Sequence, residues 1–582
     1  MRRNGKSLGR QWGLGPVCLA ILFLVGGRGQ AQDKSSEPPP DDLTRRVERL
    51  ERLNQELRSQ LSRQSADGQA STPPSDGREG AGGRAAPGSG ETRPGPTDDN
   101  QGDSAPVGSD GREGAGGRAA PASGETRPSP TEQGPLRDRW IEVGNDLGMR
   151  AGWINYQPWL ESNDKAFRVH VGGRFMYDSA WGQASNRVEN GIGGIGPFTD
   201  AVFPRRGRLQ ADGWIYEIFD FMCDYEFLGQ EINVDPSTKP TPDNIINTPT
   251  PAQLYAGVNF LPIIGTVRVG NQRAPIGLDR MMSSNFLDFM ERSLGFDAFL
   301  NSNGNFMPGI ELMNWTDNER MTWQVGLFKD NKRLFGWDYG GGNYAAVGRV
   351  TWLPWYEYNG RYMIHLGFGA QVNALENGSV TLKSRPLIRN APNGLVATTS
   401  FVTINNGNTQ SIVNPEFFMN LGSLSIQAEY QGCWVQDVTS VNTPTGTKTV
   451  PRQTFFGQSY YVQVVYFLTG ERRPYNRIPL HTAGASPTQV VPIRNFFWLP
   501  GHHCPNPFSS GAWQIGVRYN YLDLNSGSIN GGRINEVTTG LVWHLNPNMR
   551  IYFDYDIGYR TIPGGTSSGT FQVLGSRLGV NF

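Results

Sequence analysis

An excess of charge of either sign is missing from this sequence. Its 582 residues carry 53 Lys and Arg against 53 Asp and Glu, so the formal net charge is zero. This balance excludes a strongly basic nucleic-acid-binding protein and a strongly acidic solvating chain. Hydrophobic residues make up only 37% of the chain, although aromatic residues reach 11% and Gly and Pro number 74 and 40. Such a composition is untypical of a helical soluble enzyme.

Aromatic residues are absent between Gln32 and Arg139, and from Trp140 onward they are frequent. Cysteine is also scarce, with four residues in the whole chain. A set this sparse is no disulfide framework. The composition therefore divides the chain into a short N-terminal segment, an aromatic-free spacer and one large aromatic-rich body.

Long apolar runs are missing as well. The longest begins at Val17 and ends at Val25, after a basic start that includes Arg2 and Arg3. It is too short to span a membrane as a helix, and the small residues up to Ala31 fit a cleavage site. Residues 1–31 are predicted to be a secretory signal peptide, and the alternative is a buried hydrophobic helix.

A heptad pattern follows at residues 41–64. Leucines fall seven apart on one seam, and an asparagine on the second seam would fix the register of paired helices. The seam residues are Leu43, Val47, Leu50, Asn54, Leu57 and Leu61. Three heptads are marginal alone, so this short coiled coil needs a partner chain. The alternative is a solvated charged helix.

Residues 65–135 form a spacer rich in Gly and Pro. It contains a duplicated unit, since residues 75–87 recur at 109–121. The units have no apolar face to bury, so the spacer is predicted to be a disordered tether.

The body, residues 140–582, shows alternation of apolar and polar side chains with period two. The clearest examples are residues 167–177, 219–227, 513–521 and 551–559. Each predicts a strand with one apolar and one polar face. A soluble sandwich would turn the apolar face to its core, whereas an outer-membrane barrel turns that face to lipid.

Three features favour the barrel. The strands run about 9–11 residues, the length that crosses a membrane when tilted. Aromatic residues sit at the ends of apolar faces, and short turns alternate with longer polar stretches. The last strand, residues 571–582, ends the chain with Phe582, which is typical of barrels inserted into outer membranes; a soluble edge strand ending in Phe is the alternative. The predicted fold is an all-β transmembrane antiparallel barrel with an N-terminal short coiled-coil helix.

Several stretches resemble the phosphate-selective porin O and P family. They are YVQVVYFLTGERRPY (461–475), GAWQIGVRYNYLDLN (511–525), LNPNMRIYFDY (545–555), and VGNQRAPIGLDR (269–280) followed by FMERSLGFDAF (289–299). The resemblance implies a 16-stranded trimeric barrel whose third extracellular loop forms a constriction. It also implies an arginine track and a lysine cluster that draw anions inward. Residues 136–582 contain only six Lys, and no lysine cluster is evident at the constriction.

Alternation turns charges of both signs into the lumen, and residues 273–306 are the predicted constriction loop. A mixed lumen of this kind orients charged solutes; the alternative is that these charges pair across strands and that the loop lies on the rim. The candidate lumen and constriction residues are Arg168, Arg174, Arg206, Arg208, Arg268, Arg273, Asp279, Arg280, Asp288, Glu291, Arg292, Arg349, Arg518, Arg577, Asp220, Asp224, Glu226, Asp554 and Asp556.

Signatures of catalysis are lacking. The soft ligands His502, His503 and Cys504 are adjacent in a Pro-rich stretch, which favours an incidental loop over a metal site. No complete Gly-x-x-x-x-Gly-Lys-Ser/Thr phosphate-binding loop and no zinc spacing are present. We predict no enzymatic activity, no cofactor and no metal; an outer-membrane lipid hydrolase is a weak alternative.

These patterns predict an outer-membrane porin of a diderm bacterium, with its N-terminal segment in the periplasm. Small hydrophilic solutes, with anions such as phosphate favoured, would diffuse passively through a charged lumen. The expected partners are outer-membrane lipid, two further copies in a homotrimer and a cell-wall or periplasmic partner of residues 41–64, with no nucleic acid. The alternative is a structural envelope protein whose barrel anchors a coiled-coil tether.

Overall fold

The computed structural model describes residues 139–142, 148–233, 245–302, 305–329, 342–389, 398–480, 484–496 and 509–582. Of residues 139–142 only the backbone is described. Within these ranges, no helix is long and apolar enough to cross a membrane.

Sixteen antiparallel strands form a closed barrel. Each strand pairs with the next along the barrel, and the last pairs with the first, Leu578 lying opposite Tyr177. The barrel strands are β4 (Phe167–Ala184), β5 (Ala201–Ile215), β6 (Phe219–Asn233), β7 (Ile245–Leu261), β8 (Gly265–Gln272), β9 (Met307–Trp315), β10 (Met321–Lys329), β11 (Tyr344–Glu357), β12 (Tyr362–Ala374), β15 (Thr409–Leu421), β16 (Leu424–Thr443), β17 (Gly446–Phe467), β20 (Ala512–Ser526), β21 (Ile529–Asn546), β22 (Met549–Thr561) and β23 (Gly569–Asn581).

Seven further strands lie outside the ring. A meander pairs with the start of β4, and a hairpin in the connection after β12 pairs with β16. These strands are β1 (Arg139–Glu142), β2 (Met149–Ile154), β3 (Gln157–Ser162), β13 (Val380–Ser384), β14 (Ser400–Asn406), β18 (Tyr475–Asn476) and β19 (Ser486–Pro487). The helical elements are α1 (Asn186–Asn190), α2 (Leu278–Met281), a π-helix (Phe296–Leu300) and three 3-10 turns (Ser284–Phe286, Tyr358–Gly360, Glu376–Gly378).

The two faces of the strands differ as the alternation requires. In β22, Phe553 and Ile557 are exposed on the outside, whereas Asp554 and Asp556 are buried on the inside. An exterior of this kind suits hydrocarbon, and the polar side chains lie in the interior. The inner face of the wall is therefore rich in polar side chains, whereas the loops that enter the barrel contribute to a buried apolar cluster that includes Leu294, Phe299 and Ile404.

The two ends of the barrel differ in their connections. At one end, the short-turn end, six of the connections have two to five residues, as at 216–218 and 422–423. The other end carries the longer loops, among them residues 273–306 and 375–408. The exception at the short-turn end joins β17 to β20 and comprises residues 468–511. We call these the 273–306 loop, the 375–408 loop and the 468–511 segment.

The predicted all-β, 16-stranded antiparallel barrel is confirmed. Strand lengths are more variable than the predicted 9–11 residues, since β8 has 8 and β17 has 22. Strands that continue past the hydrocarbon need not match its thickness. The predicted signal peptide (1–31), coiled coil (41–64) and spacer (65–135) lie outside the described residues.

Phe582 closes the barrel at the short-turn end. Its backbone exchanges two hydrogen bonds with Gly173 of β4, of 3.1 Å and 2.9 Å. The chain thus enters and leaves the barrel at the same end.

Candidate functional site

The 273–306 loop folds into the lumen, where carboxylates of the barrel wall hold its backbone. Glu429 of β16 accepts hydrogen bonds from the N–H groups of Leu278 (2.9 Å) and Asp279 (2.7 Å) at the start of α2. On the opposite side, Asp554 of β22 accepts one from the N–H of Met290 (2.7 Å). Buried backbone donors need such partners, so the inward carboxylates fix the path of the loop.

Gly277 allows the close approach of this loop to the wall. Its φ is +81°, in the region that favours glycine. A Cβ at this position would lie 2.6 Å from Leu300 and 2.9 Å from the side-chain oxygen of Asn414. Only a residue without a side chain fits here.

Ion pairs tie the loop to the wall as well. Arg577 of β23 donates to both oxygens of Asp178 on β4 (2.6 Å each) and to Glu291 of the loop (2.7 Å). Arg205 of β5 donates to the same glutamate at 2.8 Å and 3.1 Å. All four side chains are buried, so this network is a structural anchor rather than a free charge.

The 375–408 loop also enters the lumen. The N–H groups of Leu387 and Ile388 donate to Glu536 (3.1 Å) and Asp556 (2.9 Å) on adjacent wall strands. Arg385 forms an ion pair with Asp297 of the 273–306 loop. The two loops are therefore joined to each other and to the wall.

The 468–511 segment reaches the same region from the short-turn end. Arg473 forms an ion pair with Asp288 of the 273–306 loop (2.9 Å) and donates a hydrogen bond to Gln427 of β16 (2.9 Å). The Tyr475 hydroxyl lies 2.7 Å from Nδ1 of His365 on β12. The lumen is thus narrowed from both ends.

Several inward arginines are neutralised by carboxylates. Arg208 pairs with Asp224 (2.9 Å) and Glu226 (2.6 Å). Arg268 and Arg349 have acidic partners too, Asp220 at 2.9 Å and Glu416 at 2.7 Å respectively. These pairs hold neighbouring strands together and leave little net charge for a solute.

Arg174 of β4 and Arg273 of the loop differ from that pattern. Within the described residues, neither has a carboxylate within ion-pair distance. Arg174 donates to Ser284 (3.0 Å) and Gln210 (3.2 Å), and Arg273 donates to the carbonyl of Met281 (2.8 Å). The buried Nε of each has no hydrogen-bond partner.

Electrostatics favour an anion beside these two groups. Burial lowers the pKa of Arg273 well below its ordinary value, and the neighbouring cations Arg292 and Arg174 lower it further. A guanidinium nevertheless keeps its proton at physiological pH. A solute anion beside these two groups would therefore relieve the repulsion.

Arg174 and Arg273 both line a cavity of about 210 Å³. It lies between the inner wall formed by β4 to β7, the 273–306 loop and the 468–511 segment. A second cavity of about 290 Å³ lies at the short-turn end, lined by Arg150, Glu161 and Arg168 among others. In the described part of the chain, no group of three or more His, Cys, Asp or Glu is arranged to hold a metal ion.

The sequence-predicted candidates all lie on the inner side of the barrel or in the 273–306 loop. Seventeen of the nineteen are buried, and Arg168 and Arg206 are partly exposed. The structure brings Arg174, Arg208, Arg273 and Arg292 into one cationic neighbourhood. Their role in solute passage stays a prediction.

Sequence reasoning missed several interior residues. Arg205 points inward beside Arg206 because a β-bulge interrupts the register of β4 and β5 there. Glu416 and Glu429 lie at inward positions of the alternating pattern in β15 and β16, so the alternation could have identified them. Arg473 could not be identified from periodicity, because the sequence around it shows no alternation of apolar and polar residues.

A closed 16-stranded barrel with an apolar exterior and a charged, narrowed interior is the architecture of an outer-membrane channel. The match to a family model then identifies the family. Residues 181–562 match the model of the phosphate-selective porin O and P family, and the chain belongs to that family.

Individual relatives are more distant. An uncharacterized protein of Caulobacter vibrioides is 25% identical over 330 residues, which are 54% of this chain and 59% of that protein. The chain therefore spans less than two thirds of the relative's length.

Two solved structures with similar folds are each 11% identical to this chain. The anion-selective porin from Comamonas acidovorans is matched over 71% of this chain and 99% of its own, with a TM-score of 0.39. The channel DcaP of Acinetobacter baumannii is matched over 72% and 99%, with a TM-score of 0.40.

Proposed function

We propose that this outer-membrane channel passes small hydrophilic solutes passively and prefers anions, phosphate among them. The observation that carries the proposal is the pair Arg174 and Arg273. They line one cavity without a carboxylate partner, whereas Arg208, Arg268 and Arg349 are paired. Unpaired cations in a narrow, weakly screened passage attract anions and repel cations.

Ion selectivity tests this proposal. Purified protein in a planar bilayer should give stepwise conductance, and its reversal potential in a KCl gradient should show anion preference. Arg174→Gln and Arg273→Gln should each reduce the anion preference by about threefold to tenfold, because each removes an unpaired cation. Arg452→Gln is the matched control, since Arg452 is 74% exposed and pairs with Asp437 outside the cavity.

Two outcomes would contradict the proposal. Absence of stepwise conductance argues against a channel, and a reversal potential of the opposite sign argues against anion preference alone. Passage requires no covalent step, so solute flux should follow the concentration gradient without an energy source.

The same proposal places the N-terminal segment in the periplasm. Short turns of outer-membrane barrels face the periplasm and long loops face the exterior. The meander of β1 to β3 joins β4 at the short-turn end. We therefore infer that β1 to β3 lie on the periplasmic side of the barrel.

A further inference from the structure

The cavity at Arg174 and Arg273 is amphiphilic. Opposite its polar groups it is lined by the side chains of Met222, Met281 and Phe286. Met222 and Phe286 are partly exposed, whereas Met281 is buried. A phosphate ion has no apolar surface to place against these side chains, so phosphate alone does not account for the lining.

Each apolar group is held in position by the elements around the cavity. Met222 lies on the inner face of β6, opposite Asp212 of β5. Met281 closes α2, where its carbonyl accepts from Arg273 (2.8 Å). Phe286 ends the 3-10 turn that follows, where the Ser283 hydroxyl caps the backbone. The cationic and apolar parts of the cavity therefore belong to one rigid unit.

We propose that this cavity is a binding subsite for small organic monocarboxylates that carry an aromatic or branched apolar body. The carboxylate lies between Arg174 and Arg273, which both line the cavity and have no carboxylate within ion-pair distance in the described part of the chain. The apolar body lies against Met222, Met281 and Phe286, since sulfur and ring edges favour contact with aromatic surfaces. The inference rests on the proposed anion preference and names its solute class.

Asp212 limits the solute to one negative charge. It lines the same cavity, where its carboxylate contacts His170 (2.8 Å) and the amide of Gln210 (3.0 Å). A second carboxylate on the solute would face this anion in a narrow space, and like charges at short range are unfavourable.

The size of the cavity limits the solute as well. Its volume of about 210 Å³ lies below the range typical of sites for drug-sized ligands. A single ring or a short branched chain suits this space.

Competition with chloride tests the subsite. The full-length channel is reconstituted in a bilayer, and the chloride current is measured while benzoate, acetate, phthalate or inorganic phosphate is added. Benzoate should halve the current at a concentration at least about tenfold below that of acetate, because the two share a charge and differ in apolar surface. Phthalate should be weaker than benzoate.

Variants locate the effect. Met222→Gln and Phe286→Ser should each abolish the advantage of benzoate over acetate, because each removes apolar surface from the cavity and neither removes a charge. Ile493→Ser is the control, since Ile493 is 67% exposed and lies outside the cavity lining; it should behave as the unmodified channel.

The outcomes separate this inference from the proposed function. An anion-selective channel that treats benzoate and acetate alike overturns the subsite and leaves anion preference standing. A benzoate advantage that persists in both cavity variants overturns the location. A channel without anion preference overturns both.

Discussion

The contacts of single residues decide whether a charged side chain in this lumen stabilises the structure or is available to interact with a solute. Arg577 is buried between Asp178 and Glu291, with contacts of 2.6 and 2.7 Å. Arg174, also buried, has only neutral hydrogen-bond partners in the described part of the chain. Arginines on neighbouring strands of the barrel can therefore differ in role: one holds the structure together and another is available to a solute. Their contacts distinguish them, whereas the amino-acid composition does not.

Replacing Arg577 by Met should be strongly destabilising. The change leaves Asp178 buried without its partner, and breaking such pairs costs about 3–5 kcal/mol. Urea titration of the refolded protein in detergent measures the free energy of unfolding. Adding D178N to R577M should recover most of the loss, because Glu291 keeps Arg205 as its partner and no unpaired charge then remains. R452Q, at an exposed pair, should change the value by less than about 1 kcal/mol.

Asp297 gives a pH dependence of known sign. Burial would raise the pKa of its carboxyl, but Arg385 and Arg389 outweigh burial and hold the pKa at about 2. A lowered pKa means that the contact stabilises the protein above the unfolded-state pKa of about 4 and that this stability is lost as pH falls toward 2. The stability difference between wild type and Asp297→Asn should be constant from pH 8 to pH 5 and should vanish near pH 2. A difference that disappears near neutrality would contradict this assignment.

At the scale of elements, the alternation of apolar and polar residues predicted the strands. It did not predict which segments enter the lumen of the barrel. Strand β22 could be recognised because each outward Ile, Phe or Tyr faces hydrocarbon while each inward Asp faces the lumen. The 273–306 loop was found through its charges and its resemblance to a family, not through periodicity. The sequence did not predict that the 468–511 segment enters from the short-turn end, because that position depends on how many strands precede the segment in the barrel.

The bulge at Arg205 shows the local limit of alternation. An extra residue in β5 shifts the parity of all residues before it. Nothing in the sequence Phe203–Arg206 marks that shift except a proline, which also suits an ordinary strand start. Neighbouring arginines thus both face inward.

The Arg473–Asp288 pair should restrain the interior segments. It links the 468–511 segment, which enters from the short-turn end, to the loop that enters from the other. Arg473→Gln should raise the mean single-channel conductance or the frequency of larger open levels, because the two segments separate more readily. Arg477→Gln is a matched control in the same segment, since its partner Glu319 lies at the partly exposed end of β9 and β10. Equal conductance of both variants and the wild type would show that the pair does not restrain the pore.

At the scale of the molecule, closure depends on the pairing of β4 with β23. Ser179 lies opposite Ser576 in this pair. In a background with Cys223, Cys433 and Cys504 replaced, S179C/S576C should form a disulfide that joins the two ends of the barrel. Boiled samples should then migrate differently with and without reductant. S179C/T570C, six residues away along β23, should form none, because strands rise about 3.3 Å per residue.

The N-terminal segment makes a separate prediction. Deleting residues 32–135 should leave conductance intact, because the sixteen strands lie in the remainder of the chain. Attachment to the cell envelope, measured by co-sedimentation with isolated cell wall, should fail if residues 41–64 act as a tether. Cross-linking of the full chain should give trimers if the predicted seam from Leu43 to Leu61 associates three copies; monomers alone would reject that part.

The pairing of β4 with β23 also has a consequence for folding. The two strands are the first and the last of the barrel along the chain, so until they pair each carries a row of unsatisfied N–H and C=O groups. Exposed strand edges of this kind can pair with other polypeptide chains, and the risk of aggregation lasts until the barrel closes. Slowing the pairing of β4 with β23 should therefore raise aggregation of the protein before it affects transport.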